Sequence, residues 1–510
     1  MTLRRLRTVR SAIAILSALV FGLLFLDVTT SLPPALATTA TALQLLPALL
    51  KSLTHIGLWT AGAVAVLLLT LALGRAYCST LCPLGTLQDL FIRLHRWKNT
   101  RRRYAYSPSR PILQYGILAL TLALALGGSM TLLMVLEPFS AFGRMSAALA
   151  RPVAVGVNNG LAWAIERLGT YGIARSPLHT VGAATLAGTL IFAGFIGYMS
   201  MTRGRWFCNV LCPTGALLSL VARFSFLRLV IDASTCKGCG LCEKVCKARC
   251  IDSEAKSVDF SACVLCFNCV DACPTVGLTY TTPFRRSRSA RGGGVDRRRR
   301  TILAAALVPA AALLRSDTPG SVEPAAQPVS PPGSRSTARF TGLCTACHLC
   351  VSACPTQVLA PAFLEYGMEG LFQPRMDFRT AACTYECTVC GSVCPTGALL
   401  PLTVEEKKTL QLGKARFLRE ECIVITKKTD CGACSEHCPT KAVQMVPHEG
   451  KLFLPQVNEK VCVGCGACEH ACPTIPRKAI VVDANAVHAV AEKPQFKKIA
   501  PAAPTDAFPF

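Results

Sequence analysis

Cys462-Val-Gly-Cys465-Gly-Ala-Cys468-Glu-His-Ala-Cys472-Pro473 is the stretch on which the reading of this chain turns. Three thiolates two residues apart on one loop reach three corners of a cubane iron–sulfur cluster. The fourth cysteine, three residues further on and followed by proline, is placed to ligate a partner cluster. Runs of this kind therefore come in pairs.

The spacing recurs along the chain. It is seen at Cys236, Cys239, Cys242 and Cys246; at Cys263, Cys266, Cys269 and Cys273; and at Cys344, Cys347, Cys350 and Cys354. A stretched run holds Cys383, Cys387, Cys390 and Cys394, and a split one holds Cys422, then Cys431, Cys434 and Cys438. With the opening run these six take 24 of the 29 cysteines. Two Cys-x-x-x-Cys-Pro motifs hold Cys78 with Cys82 and Cys208 with Cys212, which leaves Cys250 over. Cys246 is followed by Lys247 instead of proline, with Cys250 four residues on. Cys250 reads as a buried thiol in preference to an exchanged ligand.

Other uses of cysteine fit poorly. Disulfides give no reason for a repeated two-two-three spacing. Zinc takes four ligands, commonly as two separated pairs, and leaves the third thiolate of each run idle. Cys344-Thr-Ala-Cys347-His348 matches a c-type haem attachment site, but haem would strand Cys350 and Cys354.

Charge and hydropathy place the chain at a membrane. Mean hydropathy is +0.41 and the net charge is +25. The basic residues are concentrated beside apolar stretches, in Phe91–Arg110 and Arg285–Arg300, as loops on the cytoplasmic face require. That placement argues against nucleic acid as the partner. Four stretches are apolar enough to span: Ala12–Val28, Ile56–Leu73, Ile112–Leu136 and Val181–Met201. The first reads as an uncleaved anchor, although Ala35-Leu36-Ala37 resembles a cleavage site. With Arg4, Arg5, Arg7 and Arg10 inside, both basic blocks fall in the cytoplasm of a multi-pass protein of a bacterial inner membrane.

Gly74-Arg-Ala-Tyr-Cys78-Ser-Thr-Leu-Cys82-Pro-Leu-Gly matches Gly204-Arg-Trp-Phe-Cys208-Asn-Val-Leu-Cys212-Pro-Thr-Gly at a constant offset. The membrane part is thus expected to be a duplicated helical hairpin, an all-α four-helix bundle over 1–225. Its four cysteines are expected at the cytoplasmic edge, where together they would hold a seventh cluster beyond the six of the ferredoxin runs. At the outward ends, Asp27, His55, Glu137 and His179 are candidates for a quinol site, since ionisable groups are costly there and quinol chemistry needs proton acceptors.

Residues 226–284 form the first α+β bacterial-ferredoxin-like unit. By the crossed rule, Cys236, Cys239, Cys242 and Cys273 share one cluster, and Cys263, Cys266, Cys269 and Cys246 the other. Residues 285–338 hold the arginine block, a short apolar segment and a Pro/Ser linker. Arg299-Arg300-Thr301-Ile302-Leu303 looks like a twin-arginine export signal, and Thr301–Leu314 is too short to span. Residues 339–485 carry four runs, expected on the periplasmic side; spacing leaves the exchange of fourth ligands open, with three with six and four with five preferred over adjacent pairing. Residues 486–510 read as a tail.

The layout resembles a known pair of proteins. Residues 1 to about 282 resemble the NapH-type membrane subunit of periplasmic nitrate reduction, with its paired Cys-x-x-x-Cys-Pro motifs and two-cluster ferredoxin end. Residues from about 296 on resemble its NapG/MauM-type partner, with a twin-arginine leader and four clusters. NosR and CcoG share the same membrane half, and the chain lacks the evident flavin-attachment motif of NosR. The resemblance implies a membrane polyferredoxin that oxidises quinol and relays electrons to an extracytoplasmic reductase of the nitrate-reductase type or to a multihaem cytochrome. It would be the electron-transfer component of a quinol dehydrogenase chain, with the clusters carrying the redox chemistry. The alternatives are an assembly or redox-maintenance factor for a respiratory metalloenzyme, and a conduit fed by a cytoplasmic reductant.

Overall fold

The computed structural model describes residues 3–29, 31–54, 56–98, 104–176, 182–275, 277–282 and 327–494. The twin-arginine-like segment, most of the linker and the last sixteen residues of the expected tail lie outside them, as do His55 and His179.

Continuous apolar sequence makes the amino-terminal half helical. The helices Leu3–Leu26, Leu58–Leu73, Pro111–Leu126 and Ala183–Arg203 coincide with the four expected spans. Only the first and last are long and apolar enough to cross a membrane. The other two have 16 residues each, about 24 Å at the helical rise, against a hydrocarbon core of about 30 Å. The expected span Ile112–Leu136 is broken because Gly128 takes a left-handed φ of +89° and a new helix, Thr131–Leu136, begins. Further helices, among them Pro83–Lys98, Pro138–Met145 and Arg151–Arg167, pack around these four, so the all-α part is richer than a plain four-helix bundle. Ile15, Leu16, Leu19 and Leu23 of the first helix and Leu190 and Ile191 of the last face outward and are exposed.

The ferredoxin parts are α+β, with short helices and two-stranded antiparallel sheets. In the first, Arg228–Ile231 pairs with Leu278–Thr281 and closes the unit end to end. Between its two runs the chain turns back in the small hairpin Ile251–Asp252 with Ser257–Val258. The second part repeats this device twice, with Leu359–Pro361 against Pro374–Met376 and Val443–Pro447 against Phe453–Val457. The long pair Leu410–Phe417 with Ile480–Val490 binds its last two runs together.

The two ferredoxin parts dock at opposite ends of the helical part, and the first helix touches both. At its start Leu6 joins the core of the first unit and Arg7 pairs with Asp271. At its end Phe21, Leu24 and Phe25 share a core with Phe139, Cys344 and Cys347. Lys51 adds a hydrogen bond to the Cys394 carbonyl at 2.7 Å.

Candidate iron–sulfur centres

Four of the six cysteine loops are shaped by backbone in the left-handed region on either side of the second cysteine; the stretched and split runs are not. Gly464 and Gly466 take φ of +68° and +78° around Cys465, and Gly238 and Gly240 do the same around Cys239. Elsewhere side-chain-bearing residues accept that conformation, Leu265 and Phe267 around Cys266, and Ala346 and His348 around Cys347. Such backbone costs on the order of 1 kcal/mol per residue and persists where the surroundings impose it. It curls the loop so that three thiols turn to one side.

The cysteines gather as crossed sets of four. Cys236, Cys239, Cys242 and Cys273 line one cavity, and Cys246, Cys263, Cys266 and Cys269 line a second together with Cys250. Both sets in the first unit follow the crossed expectation. In the second part Cys344, Cys347 and Cys350 line a cavity with Cys394, and Cys422, Cys431 and Cys434 line one with Cys472. Cys383, Cys387 and Cys390 neighbour Cys354, while Cys462, Cys465 and Cys468 neighbour Cys438. Runs three and four therefore exchange ligands, as do five and six. This corrects the expected pairing of three with six and four with five. The reason is local: a hairpin between adjacent runs folds each directly back onto its predecessor.

The donor chemistry fits cubane clusters. Among the described residues no three His, Cys, Asp or Glu side chains converge on a point that a single metal ion would occupy; a cubane instead takes one thiolate at each corner. Backbone amides donate to sulfur at Cys344 and Cys462, both at 3.4 Å, as expected for thiolates carrying charge. Burial pushes the thiols of Cys347 and Cys465 up to about 12, so bound iron would be what keeps them deprotonated. His348, the residue of the haem-like motif, is buried with Nε2 2.7 Å from the Phe372 carbonyl. Burial lowers its pKa to about 4, so its ring is neutral at physiological pH.

The four cysteines of the duplicated motifs also meet. Cys78, Cys82, Cys208 and Cys212 are 2–4% exposed and share one core with Tyr77, Phe207 and Cys266. Two arginines, each directly after the C-capping glycine of its helix, cross between the repeats. Arg75 donates to the Cys208 carbonyl at 3.1 Å, and Arg205 to the Cys78 carbonyl at 3.0 Å. Their guanidinium groups also approach the thiols, Arg75 to Cys78 at 3.9 Å and Arg205 to Cys208 at 4.0 Å. The amides of Gly85 and Gly215 donate to Cys82 and Cys212 at 3.4 and 3.2 Å. The group is enclosed by protein, with Arg10 and Ser17 of the first helix bonding to the Ser79 and Leu81 carbonyls beside it. The repeated Gly-Arg was visible in the sequence; that its arginines exchange across the repeat was not.

The outward candidates separate. Asp27 accepts hydrogen bonds from the Leu32 amide at 3.0 Å and the Thr29 amide at 3.1 Å. It lines a cavity of about 230 Å³ with Leu24, Pro33, Ala37, Leu349 and Val393. Glu137 caps the helix Pro138–Met145 by accepting from the Ser140 amide, and it does not line that cavity. Its carboxylate thus holds a helix end, apart from the cavity that Asp27 lines.

A 4Fe-4S binding domain model matches residues 56–102 and 185–230, which bracket the duplicated motifs. 4Fe-4S dicluster domain models match 228–283, 259–358, and 343–398 with 429–475. An uncharacterized protein of Methanocaldococcus jannaschii is 38% identical over 76 residues, 15% of this chain and 30% of that protein. The putative electron transport protein YccM of Escherichia coli is 28% identical over 43% of this chain and 54% of its own length. The ferredoxin-type protein NapH of Escherichia coli is 25% identical over 44% of this chain and 67% of its own length. The chain thus spans about a third and about half of the first two of these relatives. No solved structure matches it.

Crossed cysteine cavities, ferredoxin hairpins and these matches define an iron–sulfur electron-transfer protein of the ferredoxin type. Within that class, the chain is similar to ferredoxin-type proteins named NapH and MauN.

Proposed function

We propose that the chain is a membrane-bound relay that oxidises quinol at its outward end and passes electrons through the second ferredoxin part to an extracytoplasmic reductase of the nitrate-reductase type. The observation that carries this reading is the cavity at Asp27. It lies between the end of the first helix and the short helix Leu349–Ala353, which contains Cys350 of the nearest thiol set. An apolar lining with one carboxylate suits a quinol headgroup. Oxidation would release two electrons and two protons: Asp27 would take one proton from a ring hydroxyl, the second would pass to solvent at the open outward end, and clusters held by the crossed cysteine sets would supply one-electron acceptors.

Six [4Fe-4S] clusters would occupy the crossed sets, and a seventh the set of Cys78, Cys82, Cys208 and Cys212. The exposed leucines of the two long helices face lipid in this reading. The basic first-helix start then lies in the cytoplasm with the first ferredoxin unit, and the second part lies in the periplasm. A conduit fed by a cytoplasmic reductant is the second reading, favoured by the exposure of Cys239 at the far inner set.

EPR of membranes treated with a short-chain quinol tests the proposal. Cluster signals should appear on quinol addition and form at least tenfold more slowly in D27N, with unchanged iron content. Membranes that respond only to a low-potential soluble reductant support the second reading. Membranes in which neither donor reduces any cluster favour an assembly factor.

A further inference from the structure

Cys250 is the one cysteine that neither the six runs nor the four-thiol set assigns. In five runs the exchanged cysteine begins a Cys-Pro-Thr sequence, and the threonine hydroxyl turns back onto its sulfur. Thr275 lies 3.7 Å from Cys273, Thr356 3.7 Å from Cys354 and Thr396 3.8 Å from Cys394. Thr440 lies 3.6 Å from Cys438 and Thr474 3.2 Å from Cys472. The first run breaks the rule: Cys246 is followed by Lys247 and Ala248, which has no hydroxyl. At that sulfur alone a thiol takes the place, with Cys250 Sγ 3.6 Å from Cys246 Sγ.

We propose that Cys250 is not a ligand but a donor, its S–H giving the Cys246 thiolate the hydrogen bond that threonine gives in the other five runs and so setting the potential of that cluster. The inference rests on reading the cavity as a cluster site. Position supports it. Cys250 is 2% exposed, lines the same cavity as Cys246, Cys263, Cys266 and Cys269, and stands four residues after the exchanged cysteine. Val358, Ala398 and Ala442 hold that place in three other runs and are buried beside their own sets. A thiol there reaches sulfur without any change of backbone. Cys246 keeps the three-residue spacing of a ligand, so four thiolates are already supplied without Cys250. A hydrogen bond to a ligating sulfur draws negative charge from the cluster and favours its reduced form. The S–H group is a weaker donor than a hydroxyl.

The test is an EPR-monitored redox titration of the full chain in detergent, with iron and acid-labile sulfide counted in the same samples, for wild type, C250A, C250S and C246A. The expected result is wild-type iron in C250A and C250S. One cluster should titrate at lower potential in C250A and return to or above the wild-type value in C250S. Loss of one cluster's iron in C250A, with full iron in C246A, would make Cys250 the ligand and overturn the proposal. An unmoved potential in C250A at full iron would overturn it equally. A wild-type chain that binds no iron in the first ferredoxin unit would instead sink the cluster reading on which the proposal rests.

Discussion

Asp89 meets three cations drawn from distant parts of the chain, Arg205 at 2.9 Å, Lys247 at 3.2 Å and Arg10 at 3.8 Å. Burial pushes its carboxyl up, but the three cations outweigh that and hold it below the usual carboxylate range. A carboxyl lowered on folding stabilises fully at neutral pH, and its contribution is lost as pH falls through its folded value. Arg205 is completely buried, so removing the charge of Asp89 leaves a guanidinium poorly compensated. D89N should cost about 3 kcal/mol, read as a lower thermal midpoint at pH 7 for the detergent-purified protein. The gap between wild type and variant should close as the pH is taken below the carboxylate range; equal midpoints at pH 7 would remove Asp89 from this role. None of this was legible in the sequence, where Asp89 is one acid in an amphipathic helix. Its value comes from three partners that only folding brings to it.

Gly74 and Gly204 end their helices with φ of +98° and +65°. A methyl group at Gly204 would fall 2.2 Å from the Lys247 carbonyl, and one at Gly74 2.7 Å from the Phe260 ring. Both glycines therefore let the first ferredoxin unit seat directly on the helix ends. G204A should loosen this seat by about 1–3 kcal/mol, seen as faster limited proteolysis within 232–282 at unchanged cluster content. A digestion rate equal to wild type would show that the seat tolerates the side chain. The repeat was legible because it is written twice in the chain. The ligand exchange in the second part was not readable from spacing, for a physical reason. Spacing within a run is fixed locally by the geometry of one cluster, whereas pairing between runs depends on the hairpins that join them. Strands of three residues such as Leu359–Pro361 leave only a faint trace in sequence.

Across the whole molecule the thiol sets form an ordered series. Cys239 of the first set is exposed, and the next set includes Cys266, which shares a core with the four-thiol group. Beyond the helical part comes the set with Cys344 and Cys347 against Phe25 and Phe139. Then follows the set of Cys383, which neighbours Cys465 of the next and whose amide bonds to the Cys465 carbonyl at 3.0 Å. The set of Cys422 and Cys472 is last. Ser17, level with the Leu81 loop, and Phe25 are eight residues apart on one helix, about 12 Å along its axis. If the proposed orientation holds, alkaline phosphatase fused after Pro494 should be active and a fusion after Thr282 inactive; two inactive fusions would place both ferredoxin parts on the cytoplasmic side. The cysteine spacings determined by themselves that this is a multi-cluster electron carrier, because a cluster loop is a local object a few residues long. Only the tertiary structure decided which cysteines share a cavity, that Cys250 stands where a threonine is missing, and that the two ferredoxin parts occupy opposite ends of one helical scaffold. The shared cavities join cysteines tens of positions apart, the Cys250 contact depends on how one short turn folds, and the docking joins residues hundreds of positions apart, none of which local spacing encodes.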